Sequence, residues 1–127
     1  SAYEVVDMDA VAQGQQFLKM KKKYKHFWGI GRHILGSQVF DYWFDPHGFE
    51  FEHYADGDVY TSDHPTEYHP LDPGNIYAWG HDLPPAMFAL KPSQIASMIK
   101  GLFNGDVTLG WIKLAKKAVS RSARPWL

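Results

Sequence analysis

A chain of 127 residues, 45% apolar and 16% aromatic with a formal net charge of −1, has the size of one domain and the means to bury a core. Without cysteine it excludes a disulfide framework and a thiolate metal site, and it fits a reducing, cytoplasmic compartment. No apolar run approaches the roughly 18 residues of a membrane span. The opening Ser1-Ala2-Tyr3-Glu4-Val5-Val6 lacks the basic start of a signal peptide, and its missing Met reads as processing or as a piece of something longer.

Ala2 to Val6 reads as a short strand, and Asp7 can cap the helix that follows. That helix is predicted over Met8 to Lys21, with Val11, Phe17, Leu18 and Met20 toward the core. Lys19, Lys21, Lys22, Lys23 and Lys25 crowd its end, where positive charge suits the helix dipole and no nucleic-acid motif accompanies it. Lys25 to Ile34 reads as a second strand, whose Gly29 and Gly31 mark bulges or a close approach of another backbone.

Two further strand-like runs, Ser37 to Asp45 and Phe49 to Tyr54, flank Asp45-Pro46-His47-Gly48. Asp, Pro and Gly at these positions specify a type I turn followed by a left-handed Gly, hence a hairpin with a Gly bulge. Pairing Asp45 with Phe49 sets Tyr42 opposite Glu52. One face then carries Phe40, Tyr42, Phe44, Glu50, Glu52 and Tyr54, and the other Val39, Asp41, Trp43, Phe49, Phe51 and His53. The second face is expected to pack on the helix. The first sets carboxylates and phenols among aromatic rings, the composition of a site.

Ala55 to Tyr77 reads as a long loop, in which His64 and His69 lack a partner motif and Asp56-Gly57-Asp58 lacks the rest of a calcium loop. Ala78 to Phe88 reads as extended. Pro92 opens a helix over Ser93 to Phe103 with an apolar stripe of Ile95, Met98, Ile99 and Leu102, stopped by Asn104-Gly105. A last helix is expected over Val107 to Ser120, with Lys113, Lys116 and Lys117 on its polar face, followed by a tail pinned by Trp126. No Lys or Arg lies between Arg32 and Lys91, whereas seven basic residues and one acid follow from Lys91 on. Solvated helix faces account for that charge without a nucleic acid or a membrane.

The chain resembles the last βαβββ module of a type I extradiol ring-cleavage dioxygenase, in the vicinal oxygen chelate (glyoxalase/bleomycin resistance/dioxygenase) superfamily. The resemblance runs from Ser1 to about Phe88 and is carried by Asp45-Pro46-His47-Gly48-Phe49-Glu50-Phe51-Glu52, which matches the family's D-P-x-G-x-x-x-E stretch. It implies an α+β fold, a single module with a mixed sheet over residues 1–88 plus a C-terminal helical extension over 89–127. It implies Glu52 as a metal ligand and, by the family's spacing to that Glu, His33 and Tyr42 as active-site residues. Trp28 and Phe40 would flank an aromatic ring.

The complete enzyme of such a family, an oxidoreductase of aromatic hydrocarbon catabolism, cleaves an aromatic vicinal diol with O2 at an Fe(II) site of two His and one carboxylate; Mn(II) suits the same ligands. Aligned with the family, the module's own His ligand would fall immediately before Ser1 and the other would come from a partner module, so one of three expected ligands is in this chain. A second module or a homodimer partner is expected over a bare sheet face bearing Phe40, Phe44 and Tyr54. The alternative reading is a non-catalytic domain of the same superfamily that binds a small hydrophobic molecule.

Overall fold

The structure is a computed structural model that describes residues 1–69, 76–85 and 89–119. Part of the expected long loop, residues 70–75, and the tail from Arg121 with its Trp126 lie outside the described residues.

The elements follow in the order β1 (Ala2–Glu4), α1 (Met8–Lys21), β2 (Lys25–His33), β3 (Val39–Phe44), β4 (Glu50–Ala55), β5 (Tyr77–Gly80), α2 (Pro92–Asn104) and α3 (Leu109–Val119). This is an α+β fold with a five-stranded mixed sheet in the order β1-β4-β3-β2-β5. β1 runs parallel to β4, while β2, β3, β4 and β5 pair antiparallel. β1 and β2 are therefore separated by two strands, and α1 must cross over the face of β3 and β4 to join them.

α1 starts where its cap lies: Asp7 Oδ1 accepts from the Ala10 N–H at 2.8 Å. It ends at Lys22, which is in the left-handed region at φ 53 and donates its N–H to Lys19 O. Val11 and Leu18 are buried along one stripe of the helix. Phe17 and Met20, expected in the core, are 51% and 72% exposed. They sit about 100° and 200° round the helix from Leu18, so burying Leu18 turns them outward.

The core has two parts, one on each side of the sheet. Val11, Val39 and Ala55 pack under α1 with Val5, Ile30 and Trp79. On the same side Asp41 is wholly buried and accepts from Gln15 Nε2 at 3.0 Å and from Trp43 Nε1, with His26 Nε2 at 2.9 Å. The packing of the Val39, Asp41 and Trp43 face on the helix is as expected. Trp28, Phe40, Tyr77 and Leu83 form the second cluster.

That second cluster corrects the expectation of a bare face. Phe40 is fully buried, because β5 pairs with β2 and the chain beyond it folds Leu83 back over the sheet. The sequence showed this segment as extended but gave no sign of its pairing. Phe44 and Tyr54 remain half-buried.

The glycines of β2 act as expected. Register shifts fall between His26 and Trp28 and between Gly29 and Gly31. A Cβ on Gly31 would lie 2.6 Å from Phe40 Cζ and 2.8 Å from Trp79 O, so only Gly lets β5 come this close. α2 begins at Pro92, where the Gln94 side chain accepts from the Lys91 N–H at 2.8 Å, and stops at Gly105 with φ 80. Its apolar stripe is at best half-buried, with Ile95 and Ile99 exposed. α3 starts two residues later than expected, behind Thr108, whose hydroxyl accepts from the Trp111 N–H.

Candidate functional site

The turn from β3 to β4 builds the site by fixing register. Gly48 N–H donates to Asp45 O at 3.0 Å, with Gly48 at φ 85. Asp45 Oδ1 accepts from the N–H groups of both His47 and Phe49 at 2.8 Å. Asp45 N–H in turn donates to Phe49 O at 2.9 Å. This is the Gly-bulge turn read from the sequence. It sets Tyr42 opposite Glu52, as expected, and puts both side chains on the sheet face away from α1. On its other side Glu52 is held by β1: its N–H donates to Ser1 O at 2.9 Å, and its neighbour across the ladder is Ala2.

His33, at the end of β2, reaches the same point from the strand beyond β3. Its Nε2 lies 3.1 Å from the Tyr42 hydroxyl and 3.8 Å from Glu52 Oε1. Its Nδ1 lies 3.0 Å from the backbone carbonyl oxygen of Ile76. A carbonyl oxygen only accepts, so the proton sits on Nδ1 and, in the neutral ring, Nε2 keeps its lone pair. The Tyr42 hydroxyl then faces two acceptors, His33 Nε2 and the Glu52 carboxylate, and donates to one of them at a time. The Ile76 carbonyl was invisible in the sequence, since a backbone acceptor leaves no mark on residue type.

The aromatic rings stand behind these three groups. The His33 ring stacks on Phe40 at 4.3 Å between centroids, and Trp28 stacks on Tyr42 at 5.7 Å with 12° between planes. Phe40, being fully buried, supports His33 from beneath; Trp28 is nearly buried and backs Tyr42.

Electrostatics follow from this burial. The Glu52 side chain is only 14% exposed, and burial raises its pKa above the usual carboxylate value, against the lowering effects of a hydrogen bond from Tyr42 and of the charge that His33 carries when protonated. Burial, together with the neighbouring Glu52 and Glu50 carboxylates, also pushes the Tyr42 hydroxyl up, keeping it a protonated donor. A largely buried carboxylate beside an imidazole and a phenol can hold a cation or share a proton.

The loop residues noted in the sequence lie elsewhere. His64 and His69 flank Glu67, with Nε2 atoms 3.7 and 3.1 Å from its carboxylate oxygens, all three well exposed. Asp56 pairs with Arg32 at 2.6 Å, and Asp58 accepts from Ser37 and Tyr60. Among the described residues, no group of three or more His, Cys, Asp or Glu could hold a metal ion.

No family model matches the chain. It is 36% identical over 91 residues to Metapyrocatechase 2 of Cupriavidus necator, a stretch covering 66% of this chain and 26% of that protein. The chain thus spans about a quarter of the length of the curated relative it matches. Among solved structures, it superimposes on a catechol 2,3-dioxygenase with a TM-score of 0.52 at 18% identity, over 65% of this chain and 26% of that one. The second likeness speaks to fold, the first to sequence. Together they support the resemblance of this chain to an extradiol dioxygenase-type module.

Proposed function

We propose that this chain is the metal-binding module of an enzyme that cleaves an aromatic vicinal diol with O2, and that Glu52 is the carboxylate of its Fe(II) site. The convergence of Glu52, His33 and Tyr42 on one point of the sheet carries this reading. Glu52 fits the role, since a carboxylate whose pKa is raised by burial gains from a neighbouring cation. Mn(II) would suit the same oxygen and nitrogen donors. Glu52 is one ligand; the two others belong to groups that the described residues do not bring to it.

A bound Fe(II) would supply adjacent positions for the diol and for dioxygen. The residues of this chain do the rest. The Tyr42 hydroxyl, held protonated, donates to an oxygen of the diol and sets its orientation. His33 Nε2, with its lone pair turned to the same point, accepts a proton from a diol hydroxyl and can return it later. Trp28 and Phe40 fix the planes of Tyr42 and His33 and keep water from behind them.

A second module, or a second copy of this chain, would close the open side of Glu52. The module occupies residues 1–88 and the helical extension 89–127. No helix among the described residues is long and apolar enough to cross a membrane; the reading places the enzyme in the cytoplasm, where no cysteine is needed.

The lack of a complete metal set among the described residues favours a second reading, a domain that binds a small hydrophobic molecule without redox chemistry. Calorimetric titration of catechol under anaerobic conditions separates the two. In the dioxygenase reading, binding requires Fe(II) and is lost in Glu52→Ala. Binding indifferent to both would support the second reading and overturn the first.

A further inference from the structure

The Ile76 carbonyl that fixes the His33 tautomer lies just before β5, and β5 is an edge strand whose ladder partner among the described residues is β2. Its pairing is irregular where it matters, with a register shift between Arg32 and His33. The position of that carbonyl therefore depends on what fastens β5 and the chain beyond it. Two hydrogen bonds among the described residues contribute to this. The Tyr77 hydroxyl donates to Asp82 Oδ1 at 3.1 Å, and Trp28 Nε1–H donates to His81 O at 2.8 Å. The Tyr77 ring is fully buried and meets Trp28 edge-on at 5.3 Å, so the phenol is held by packing while its hydroxyl reaches Asp82. Gly80, at φ 125, lets the strand pass against Gly31, where a Cβ would come within 2.5 Å of the Gly31 Cα.

We propose that Tyr77 and Asp82 form a positioning latch for His33. The hydroxyl–carboxylate bond closes the segment 77–82 on itself and holds Ile76 O against His33 Nδ1, which keeps the Nε2 lone pair aimed at Tyr42 and Glu52. Neither residue touches the point where His33, Tyr42 and Glu52 meet; both act through the backbone. The inference rests on the role given to His33 above, but it concerns a property of the chain alone, the tautomer of one ring.

The test is long-range 1H–15N correlation spectroscopy of the histidine side chains in the 127-residue chain, with His33 assigned by the signals lost in His33→Gln. In the wild type the proton is expected on Nδ1 and the bare nitrogen at Nε2. In Tyr77→Phe, which keeps the buried ring, the ratio of Nδ1–H to Nε2–H tautomer should fall on the order of fivefold, the worth of one net hydrogen bond. Asp82→Ala, at an exposed position, should do the same if Tyr77→Phe does not fold. Asp82→Asn, which retains an acceptor oxygen, should restore the wild-type ratio, which a general loosening of the sheet would not. An Nε2–H tautomer in the wild type, or a ratio unmoved by both Tyr77→Phe and Asp82→Ala, would overturn the proposal. If the tautomer behaves as described while catechol binding ignores Glu52, the latch stands and the dioxygenase reading falls. The reverse pair of results would remove the latch and leave that reading in place.

Discussion

Glu52 is a carboxylate held where a carboxylate is costly. Its pKa is raised in the fold, chiefly by burial. A raised folded-state pKa contributes stability fully below the unfolded value, about 4.3 for Glu, and that stability is lost as pH rises through the folded value. In a chelating buffer Glu52→Gln should therefore be more stable than the wild type at pH 7, and the difference should vanish below pH about 4. Urea unfolding at the two pH values checks this; equal midpoints at pH 7 would contradict it. Tyr42→Phe removes a donor whose two acceptors, His33 Nε2 and the Glu52 carboxylate, keep some contact with water, so it should cost less than about 1 kcal/mol. Trp28→Ala, by contrast, empties a buried site packed on Phe40 and Tyr77 and should cost about 3–5 kcal/mol. That contrast separates a residue kept for chemistry from one kept for packing.

At the scale of elements, the β3–β4 hairpin was the most legible part of the chain. Asp45, Pro46 and Gly48 each have a local reason for their place, so turn type, register and the meeting of Tyr42 with Glu52 follow from adjacent residues. α1 was legible in extent, since Asp7 marks its start, but not in facing: Phe17 and Met20 are apolar yet exposed, because Val11 and Leu18 define the stripe that meets the sheet. β5 was not legible as a paired strand. Its partner lies some fifty residues earlier, and pairing at that range depends on Gly31 and Gly80 passing each other rather than on any local pattern. Two glycine substitutions test this division. Gly48→Ala meets no atom within 4 Å and should cost about 1–2 kcal/mol from its left-handed backbone alone. Gly31→Ala collides with Phe40 and Trp79 O and should cost about 1–3 kcal/mol while loosening β5, seen as faster amide exchange across the β2–β5 ladder. Unchanged exchange there would show that β5 does not need the close approach.

At the scale of the whole molecule, the sheet with α1 forms the unit that holds the site, whereas α2 buries none of its residues. A chain ending after Lys91 should thus unfold cooperatively within about 1 kcal/mol of the full chain, as read by urea denaturation. Loss of the cooperative transition would mean that the helical extension belongs to the core. The catalytic role assigned to the sheet rests on Glu52 receiving a metal ion. Mn(II), a paramagnetic stand-in for Fe(II) with the same donor preferences, reports weak and incomplete sites by broadening nearby amide signals. The decisive measurement is that broadening across the full chain, in wild type and in Glu52→Ala. The expected result is early loss of the signals of Ala2, His33, Tyr42 and Glu52, abolished by the substitution. Broadening confined to the exposed His64, Glu67 and His69 loop, or equal in the two proteins, would contradict the assignment of Glu52 as a metal ligand.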